Sequence, residues 1–413
     1  MSMNQTPAAD RVHIGIFGRR NAGKSSLINA ITGQELAIVS DVMGTTTDPV
    51  YKTMELLPLG PVVIIDTPGL DDEGALGRLR IKKAYQVLNK TDIAILVVDA
   101  VQGMTEADLA LEQRIRDKGI PYLRVMNQCD RLEEVPEEMA GVLWVSALKG
   151  IRIHELKERI AALVPGDEDK PLVRDLVDPL DLVVLVVPID KAAPKGRLIL
   201  PQQQTIRDLL EGGAVSVVAR ETELSGTLEG LGAAPKLVIT DSQAFGRVSR
   251  ETPEDILLTS FSILMARYKG DLPEAVRGVL ALETLQDGDR ILISEGCTHH
   301  RQCGDIGTVK LPAWIRQYTG KTPVFEFTSG TQFPDDLTGY HMVVHCGGCM
   351  LNEREMKYRI KCSADQEVPI TNYGILIAYV HGILERSLRP FPQIHALLEP
   401  DAGKSEAGGG ECV

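Results

Sequence analysis

Gly-Arg-Arg-Asn-Ala-Gly-Lys-Ser, residues 18–25, is the stretch that decides the fold of the N-terminal part of this 413-residue sequence. An apolar run, Val12–Phe17, precedes it, and a run with helical periodicity, Lys24–Ile31, follows it. The pattern G-x-x-x-x-G-K-S between a strand and a helix is typical of a phosphate-binding loop, because its glycines let backbone N–H groups surround phosphate oxygens. The helix N-terminus adds a partial positive charge. We therefore expect Lys24 to reach the β- and γ-phosphates of a nucleotide and Ser25 to bind Mg²⁺.

Strands and helices continue to alternate after this loop. The predicted strands are Val62–Asp66, Ile93–Asp99, Tyr122–Asn127 and Leu143–Ser146, and a further predicted helix is His154–Leu163. Such alternation predicts a mainly parallel sheet. A polar segment bounded by Pro165 and Pro171 follows, so we assign residues 1–165 to the first domain.

Two smaller sets of strands and helices follow the linker. In residues 171–260 we predict the strands Leu182–Pro188, Ala214–Ala219 and Lys236–Thr240 and the helices Gln202–Glu211 and Asp255–Arg267. In residues 261–400 we predict the strands Arg290–Ser294, Val324–Thr328 and His341–His345 and the helices Val309–Tyr318, Arg354–Cys362 and Tyr373–Leu388. The small, polar tail 401–413 is predicted to be disordered. The predicted fold class is α/β: an N-terminal P-loop domain with a mainly parallel sheet, followed by two smaller α/β domains.

Composition narrows the class of protein. The chain is too long for one ordinary core, and its 44% hydrophobic and 24% charged residues are those of a globular protein. A net charge of −13 disfavours binding to nucleic acids, which depends on Lys and Arg. No apolar run approaches the ~18 residues that cross a bilayer, and Met1–Asp10 lacks the features of a signal peptide. We expect a cytoplasmic protein without a membrane partner.

Two segments after the phosphate loop have the chemistry of a nucleotide switch. Asp66-Thr-Pro-Gly69 ends a strand, which places Asp66 to bind Mg²⁺ through water and the Gly69 N–H to meet the γ-phosphate. Gly44-Thr45-Thr46-Thr47-Asp48 lies in a polar loop, suited to closing over the γ-phosphate and Mg²⁺.

Two further segments indicate guanine. Asn127-Gln-Cys-Asp130 follows a strand, and the Asp130 carboxylate can accept both the N1–H and the exocyclic amine of guanine, a donor pair that adenine lacks. Ser146-Ala147 also follows a strand and can offer a backbone N–H to the guanine O6.

These five motifs, over residues 11–165, resemble the translation-factor-class GTPases, in particular the tRNA-modifying and ribosome-assembly group. The resemblance implies that GTP and Mg²⁺ are bound, with Lys24, Thr46 and Gly69 serving hydrolysis. Thr46 is the favoured switch threonine and, with Ser25, a Mg²⁺ ligand; Thr45 and Thr47 are close alternatives. By motif position, the phosphates and Mg²⁺ would contact Gly18, Asn21, Ala22, Gly23, Lys24, Ser25 and Ser26, and the base would contact Asn127, Asp130, Ser146 and Ala147.

The sequence departs from the group's pattern at two positions. Gln128 replaces the lysine whose stem packs on the base, which is expected to weaken affinity. Leu70 follows Gly69 where other GTPases have a glutamine that orients water. Relatives with an asparagine at the position of Asn21 use K⁺ beside the phosphates, so the resemblance implies slow, K⁺-stimulated hydrolysis.

Cysteine and histidine are concentrated in the C-terminal part. Four of the seven cysteines (Cys297, Cys303, Cys346, Cys349) and four of the eight histidines (His299, His300, His341, His345) lie between residues 297 and 349. Clustered cysteines in a cytosolic chain indicate metal binding rather than disulfides. Three thiolates and a histidine suit zinc, and three thiolates equally suit a four-iron cluster, so the local pattern leaves both metals open.

A second resemblance concerns the whole arrangement. A GTPase domain, a middle α/β segment, Cys297-Thr-His299 and a later His345-Cys346-Gly-Gly-Cys349 resemble the [FeFe]-hydrogenase maturation GTPases (HydF-type) from Arg11 to Phe391. The resemblance implies a homodimer, formed through residues 171–260, that carries a [4Fe-4S] cluster in residues 261–400. It also implies a di-iron precursor as cargo, made with two radical-SAM maturases and delivered to apo-[FeFe]-hydrogenase.

The same resemblance implies Cys297, Cys346 and Cys349 as cluster ligands, with one exchangeable iron position. His299, His345, Cys303 or an exogenous group remain candidates for the fourth ligand. Two other functions remain open: an RNA-modification or ribosome-assembly GTPase with a structural zinc, and an iron–sulfur redox enzyme that GTP regulates.

Overall fold

The computed structural model describes residues 10–33, 49–69, 83–135, 141–164, 170–189, 198–296, 305–330 and 332–398. The chain divides into two compact units, Met1–Glu168 and Asp169–Val413. The division falls within the segment 165–171 that links the first two predicted domains.

The first unit contains a six-stranded sheet with the strand order β2-β3-β1-β4-β5-β6. Every neighbouring pair is parallel except β2 and β3. The strands are β1 (Val12–Phe17), β2 (Val50–Leu56), β3 (Gly60–Asp66), β4 (Ile93–Asp99), β5 (Tyr122–Asn127) and β6 (Val142–Trp144). The helices are α1 (Lys24–Thr32), α2 (Glu106–Asp117) and α3 (Ile153–Ala162), and residues 83–88 are also helical.

Both faces of this sheet are buried. In β4, Ile93, Ile95 and Val97 belong to one apolar cluster, whereas Ala94, Leu96 and Val98 belong to another. Continuous apolar strands of this kind are expected when helices cover both faces of a parallel sheet. The P-loop domain with a mainly parallel sheet is therefore confirmed.

The second unit contains two parallel four-stranded sheets, with the orders β10-β9-β7-β8 and β12-β11-β13-β14. The strands of the first are β7 (Leu182–Val186), β8 (Val215–Ala219), β9 (Leu237–Thr240) and β10 (Leu257–Ser260). The strands of the second are β11 (Arg290–Glu295), β12 (Val324–Ser329), β13 (Met342–His345) and β14 (Ile370–Asn372).

Ten helices accompany these two sheets in the described part of the second unit. They are α4 (Leu200–Glu211), α5 (Leu224–Gly230), α6 (Phe245–Glu251), α7 (Phe261–Lys269), α8 (Leu272–Val279), α9 (Leu311–Thr319), α10 (Glu353–Ala364), α11 (Tyr373–Val380), α12 (Leu384–Leu388) and α13 (Pro392–His395). A π-helical turn, Ile306–Lys310, leads directly into α9. One apolar cluster contains residues of both sheets, such as Leu185 and Ile293, so the sheets share a core.

Two predicted helices were wrong. The segment predicted as Asp255–Arg267 is a buried strand, β10, followed by α7, because the Ser260 hydroxyl accepts a hydrogen bond from the Ile263 N–H and starts the helix there. The segment predicted as Tyr373–Leu388 is two helices, α11 and α12, separated by Gly382 at φ +70°. The strands β2 and β14 were not predicted.

Within the described residues, no helix combines the length and the apolar character needed to span a lipid bilayer.

The central strand β7 generates a stability prediction. Leu185 has no exposed surface, so Leu185→Ala should lower the free energy of unfolding by about 2–5 kcal/mol through lost burial and a residual cavity. Chemical denaturation followed by circular dichroism measures this change. Val218→Ala on the edge strand β8, where the side chain is 49% exposed, is the control and should have a much smaller effect. Equal losses for the two variants would contradict this packing.

Candidate functional site: a nucleotide loop and a thiol pair

The phosphate-binding loop connects β1 to α1. Gly18 and Gly23 have φ of +144° and +85°, which glycine adopts without strain. The Lys24 ammonium donates hydrogen bonds to the carbonyl oxygens of Gly18 (2.9 Å) and Arg19 (2.8 Å). The lysine is 9% exposed and therefore lies folded into the loop, with Ser25 and Ser26 following it on α1.

Neighbouring atoms leave no space for a side chain at Gly18 or Gly23. A Cβ atom at Gly18 would lie 2.2 Å from the Val97 carbonyl oxygen, and one at Gly23 would lie 2.2 Å from Asn127 Nδ2. Real Cβ atoms do not approach other atoms so closely. The loop is therefore packed directly against β4 and against the first residue of the predicted guanine motif.

The Mg²⁺ side of the predicted site lies at the end of β3. Ser25 Oγ donates to Asp66 Oδ2 at 3.2 Å. Burial raises the pKa of the Asp66 carboxyl, while the Lys24 charge, the Ser25 hydrogen bond and the Lys52 charge oppose that rise. Gly69 lies against the Arg20 backbone, since a Cβ atom there would be 2.9 Å from the Arg20 N. The structure thus brings Asp66 and Gly69, two of the residues predicted at the Mg²⁺ and the γ-phosphate, beside the phosphate loop.

Asn127 links three of the predicted motifs. Its side chain is buried; Nδ2 donates to the Ala22 carbonyl at 3.0 Å, and Oδ1 accepts from the Ala147 N–H at 3.1 Å. Ser146 is also buried, and its hydroxyl accepts from the Lys149 N–H at 3.1 Å. Asp130 is exposed in a 3₁₀ turn, Cys129–Arg131, and is free of the core. This arrangement suits a guanine-binding site, in which Asn127 and Ser146 are buried and the Asp130 carboxylate is accessible to the base.

Gln128 contacts the phosphate loop although it replaces the usual lysine. Its Nε2 donates to the Asn21 carbonyl at 3.0 Å, and Arg131 Nη1 donates to its Oε1 at 2.5 Å. The contact between the base motif and the phosphate loop is therefore made by an amide. Sequence reasoning considered only the lost packing of the lysine stem and missed this bond.

Several predicted site residues lie outside the described part of the chain. They are the switch threonines Thr45, Thr46 and Thr47, together with Leu70, Cys297, His299 and Cys303.

The thiol pair lies directly beyond β13. The Cys346 N–H donates to the Ser294 carbonyl of β11 at 2.9 Å. The Cys346 sulfur accepts from the Gly296 N–H at 3.0 Å and from the Gly348 N–H at 3.4 Å. Gly348 has φ +63°, and a Cβ atom there would lie 2.4 Å from Met356 Sδ. Backbone N–H groups directed at a cysteine sulfur are the hydrogen bonds that tune iron–sulfur sites, so this donor set fits a thiolate-bound metal.

The surroundings of the thiols include groups that sequence reasoning missed. Burial and the neighbouring Cys346 raise the pKa of the Cys349 thiol, whereas the Lys269 charge lowers it. Tyr373 Oη donates to Glu295 Oε1 at 3.3 Å, and burial, Glu295 and Cys346 raise the Tyr373 pKa far above its ordinary value. The phenol is therefore a permanent hydrogen-bond donor. In the sequence, the position of Glu295 at the end of a predicted strand, two residues before Cys297, is the feature that could have placed it near the thiols.

His345 is buried, and both of its ring nitrogens have partners. Nδ1 is 2.6 Å from the Cys346 carbonyl oxygen, and Nε2 is 3.0 Å from Arg359 Nη1. Since the guanidinium can only donate, Nε2 accepts and Nδ1 carries the proton. Burial and the Arg359 charge lower the pKa of His345 to about 3, so the ring is neutral. This arrangement does not favour His345 among the candidate fourth ligands.

The described residues do not contain a complete metal site by themselves. No group of three or more His, Cys, Asp or Glu side chains within the ranges given above is arranged to hold a metal ion. Cys346 and Cys349 supply two thiols, and the third predicted ligand, Cys297, follows the last described residue after β11, Gly296.

Three family models match the chain. The hydrogen maturase F dimerization domain matches residues 172–270, and the hydrogen maturase F tetramerization domain matches residues 273–390. The chain belongs to the hydrogen maturase F family. The third model, a 50S ribosome-binding GTPase by its description, matches residues 13–128 and covers the phosphate loop and Asn127. The GTPase model thus covers the phosphate loop, and the tetramerization-domain model covers the thiol pair.

Two curated relatives are similar to about two-fifths of this chain. The tRNA modification GTPase MnmE of Bordetella petrii is 33% identical over 168 residues, which are 40% of this chain and 37% of that protein. GTPase Der of Crocosphaera subtropica is 30% identical over 183 residues, 40% of each chain. The chain therefore spans about two-fifths of the length of these relatives. A crystal structure of Aquifex aeolicus Era bound to GDP·AlF4⁻ covers 54% of this chain and 98% of its own, at 21% identity and a TM-score of 0.35.

The contact between Gly23 and Asn127 generates a prediction for nucleotide binding. Gly23→Ala places a Cβ atom against Asn127 Nδ2 at a positive φ, so the loop must shift and guanine-nucleotide affinity should fall at least about tenfold, or ~1.4 kcal/mol. Fluorescent GDP titration measures the loss. Gly119→Ala is the matched control, since it has φ +59° but open space around the new Cβ. Equal affinities for the Gly23 and Gly119 variants would contradict the proposed loop geometry.

Proposed function

We propose that this chain is a GTPase of [FeFe]-hydrogenase maturation, which binds a [4Fe-4S] cluster and delivers a di-iron precursor to apo-[FeFe]-hydrogenase. The observation that carries the proposal is the thiol pair Cys346 and Cys349, with its backbone donors, inside a hydrogen maturase F domain joined to a GTPase domain. The protein acts in the cytoplasm as a homodimer, and two radical-SAM maturases supply the precursor.

Three cysteines hold the cluster in this proposal. Cys346 and Cys349 approach from the end of β13, and Cys297 follows the end of β11, which is the neighbouring strand of the same sheet. The bound cluster supplies an iron whose remaining position exchanges ligands. His299, Cys303 or an exogenous group takes that position, because Arg359 and the Cys346 carbonyl already occupy the nitrogens of His345.

GTP acts as a switch on this carrier. Lys24 and the Gly69 N–H contact the β- and γ-phosphates, Ser25 and Thr46 bind Mg²⁺, and Asp66 holds Mg²⁺ through water. Loss of the γ-phosphate releases the loop around Thr46, as in other switch GTPases. The hydrolysis rate is low, since Leu70 has no polar group with which to orient the attacking water.

Potassium compensates for the missing glutamine in this proposal. K⁺ beside Asn21 adds positive charge where the transition state becomes negative, so GTP hydrolysis should be about tenfold or more faster in KCl than in NaCl at equal ionic strength. Phosphate release measures both rates. The variant Asn21→Ala should lose most of the difference between the two rates. Identical rates in the two salts would exclude this role of K⁺.

Removal of a single thiol tests the cluster proposal. Cys346→Ser or Cys349→Ser should lower iron affinity by about tenfold or more and abolish activation of apo-hydrogenase, while GTP hydrolysis stays unchanged. Iron and sulfide are assayed after anaerobic reconstitution. Cys362→Ser on α10 is the control, since this thiol lies outside the pair, and should behave as the wild type. Unaltered iron binding by the Cys346 variant would disprove the assignment.

The rival function of an RNA-directed GTPase with a structural zinc makes a different prediction. The similarity to tRNA-modifying relatives covers only about 40% of the chain, and the hydrogen maturase F models cover the part that contains the thiols. Anaerobic purification followed by metal analysis separates the two functions. A colourless protein with stoichiometric zinc would support the rival.

A further inference from the structure

Arg359 is the largest side chain without exposed surface in the described chain. It lies on α10, which begins shortly after the thiol pair. A guanidinium cannot lose its charge, so its burial is costly unless every N–H group has a partner.

All five N–H donors of Arg359 have partners. Nε and Nη2 donate to Glu355 Oε1 at 2.9 and 2.8 Å, and Nη2 also donates to the Gly330 carbonyl at 2.7 Å. Nη1 donates to His345 Nε2 at 3.0 Å and to Ser294 Oγ at 3.4 Å. The Phe333 ring lies 5.1 Å from the guanidinium carbon.

Three of these partners lie at the carboxyl ends of three strands. Ser294 is in β11, His345 is the last residue of β13, and Gly330 directly follows β12. Ser294 also accepts a hydrogen bond from Thr328 of β12 at 3.0 Å. The Arg359 side chain therefore connects the ends of three neighbouring strands, and the predicted metal ligands follow two of them, β11 and β13.

The same residues hold Cys346. The Ser294 carbonyl accepts from the Cys346 N–H, and the His345 ring is directed to the Cys346 carbonyl. Gly296, whose N–H donates to the Cys346 sulfur, is two residues beyond Ser294. Any displacement of Ser294 or His345 is thus transmitted to the backbone groups that position this sulfur.

We propose that Arg359 is the positioning residue of the thiol site, because its guanidinium fixes the ends of β11 and β13 and thereby the position of Cys346 for metal binding. In this role Arg359 also keeps the His345 ring in a structural hydrogen bond, so that His345 is not a metal ligand. This inference rests on the proposed cluster binding, yet it concerns a residue that touches no metal. Its first test needs no metal at all.

The first test measures thiol reactivity in the iron-free full-length chain. Arg359→Met removes the guanidinium and all of its hydrogen bonds. Alkylation of Cys346 by iodoacetamide should therefore become faster relative to alkylation of Cys362 in the same sample. Peptide mass spectrometry measures both rates. The matched control is Arg386→Met, which removes another buried arginine of this unit that binds the carbonyls of Ser249, Thr252 and Pro253. This control reports general destabilisation and should leave the ratio unchanged.

The second test measures iron retention after anaerobic reconstitution. Release to a chelator should be about tenfold or more faster from Arg359→Met than from the wild type, and GTP hydrolysis should be equal in both. Should Arg359→Met fail to fold, Arg359→Lys takes its place, because a single ammonium keeps the charge beside Glu355 but cannot reproduce the planar fork. The lysine variant should change in the same direction by a smaller factor.

The outcomes separate this inference from the proposed function. A wild-type chain that binds no iron overturns the cluster proposal, whereas faster alkylation of Cys346 still supports the positioning role. Unchanged alkylation together with unchanged iron release in the Arg359 variants overturns the positioning role alone. A histidine-nitrogen coupling in pulsed EPR that disappears in His345→Asn would also overturn it, since His345 would then be a ligand.

Discussion

Parallel pairing brings the carboxyl ends of neighbouring strands to the same edge of a sheet, and each of the two proposed sites is made of segments that follow such strand ends. In the first unit the phosphate loop follows β1, Asp66 ends β3 and Asn127 ends β5. In the second unit the thiol pair follows β13, beside the end of β11. The crossover helices occupy the sheet faces, so polar residues concentrate at these strand ends, where ligands can bind.

Each edge is held by a buried polar side chain with distant partners. Asn127 joins the phosphate loop to the segment after β6, and Arg359 joins three strand ends to α10. A buried amide or guanidinium is destabilising without partners, so these hydrogen bonds restrict both edges to one arrangement. The groups that contact phosphate or metal in the proposed function are thus positioned by residues that contact neither.

The environment of the thiol pair bears on the proposed metal binding. Burial and the neighbouring Cys346 raise the pKa of the Cys349 thiol, and the Lys269 charge opposes that rise. The buried Glu295 adds acidic character nearby, with Tyr373 as its hydrogen-bond donor. In the proposed function, the charge of the bound metal would favour ionisation of both thiols, because thiolates are stabilised by a nearby cation. The N–H groups of Gly296 and Gly348 act in the same direction on Cys346.

The sequence by itself determined the α/β class, the phosphate loop and most strands, because apolar runs and glycine patterns are local signals. It also pointed to the cysteines, through their clustering. It did not distinguish the buried strand β10 from a helix, since a short apolar run fits either until the Ser260 cap and its pairing with β9 are known. Tertiary structure alone decided the roles of Gln128, His345 and Arg359. Gln128 bonds to Asn21, 107 positions away, and Arg359 bonds to His345, 14 positions away; no local pattern encodes which distant carbonyl or ring such a donor will meet.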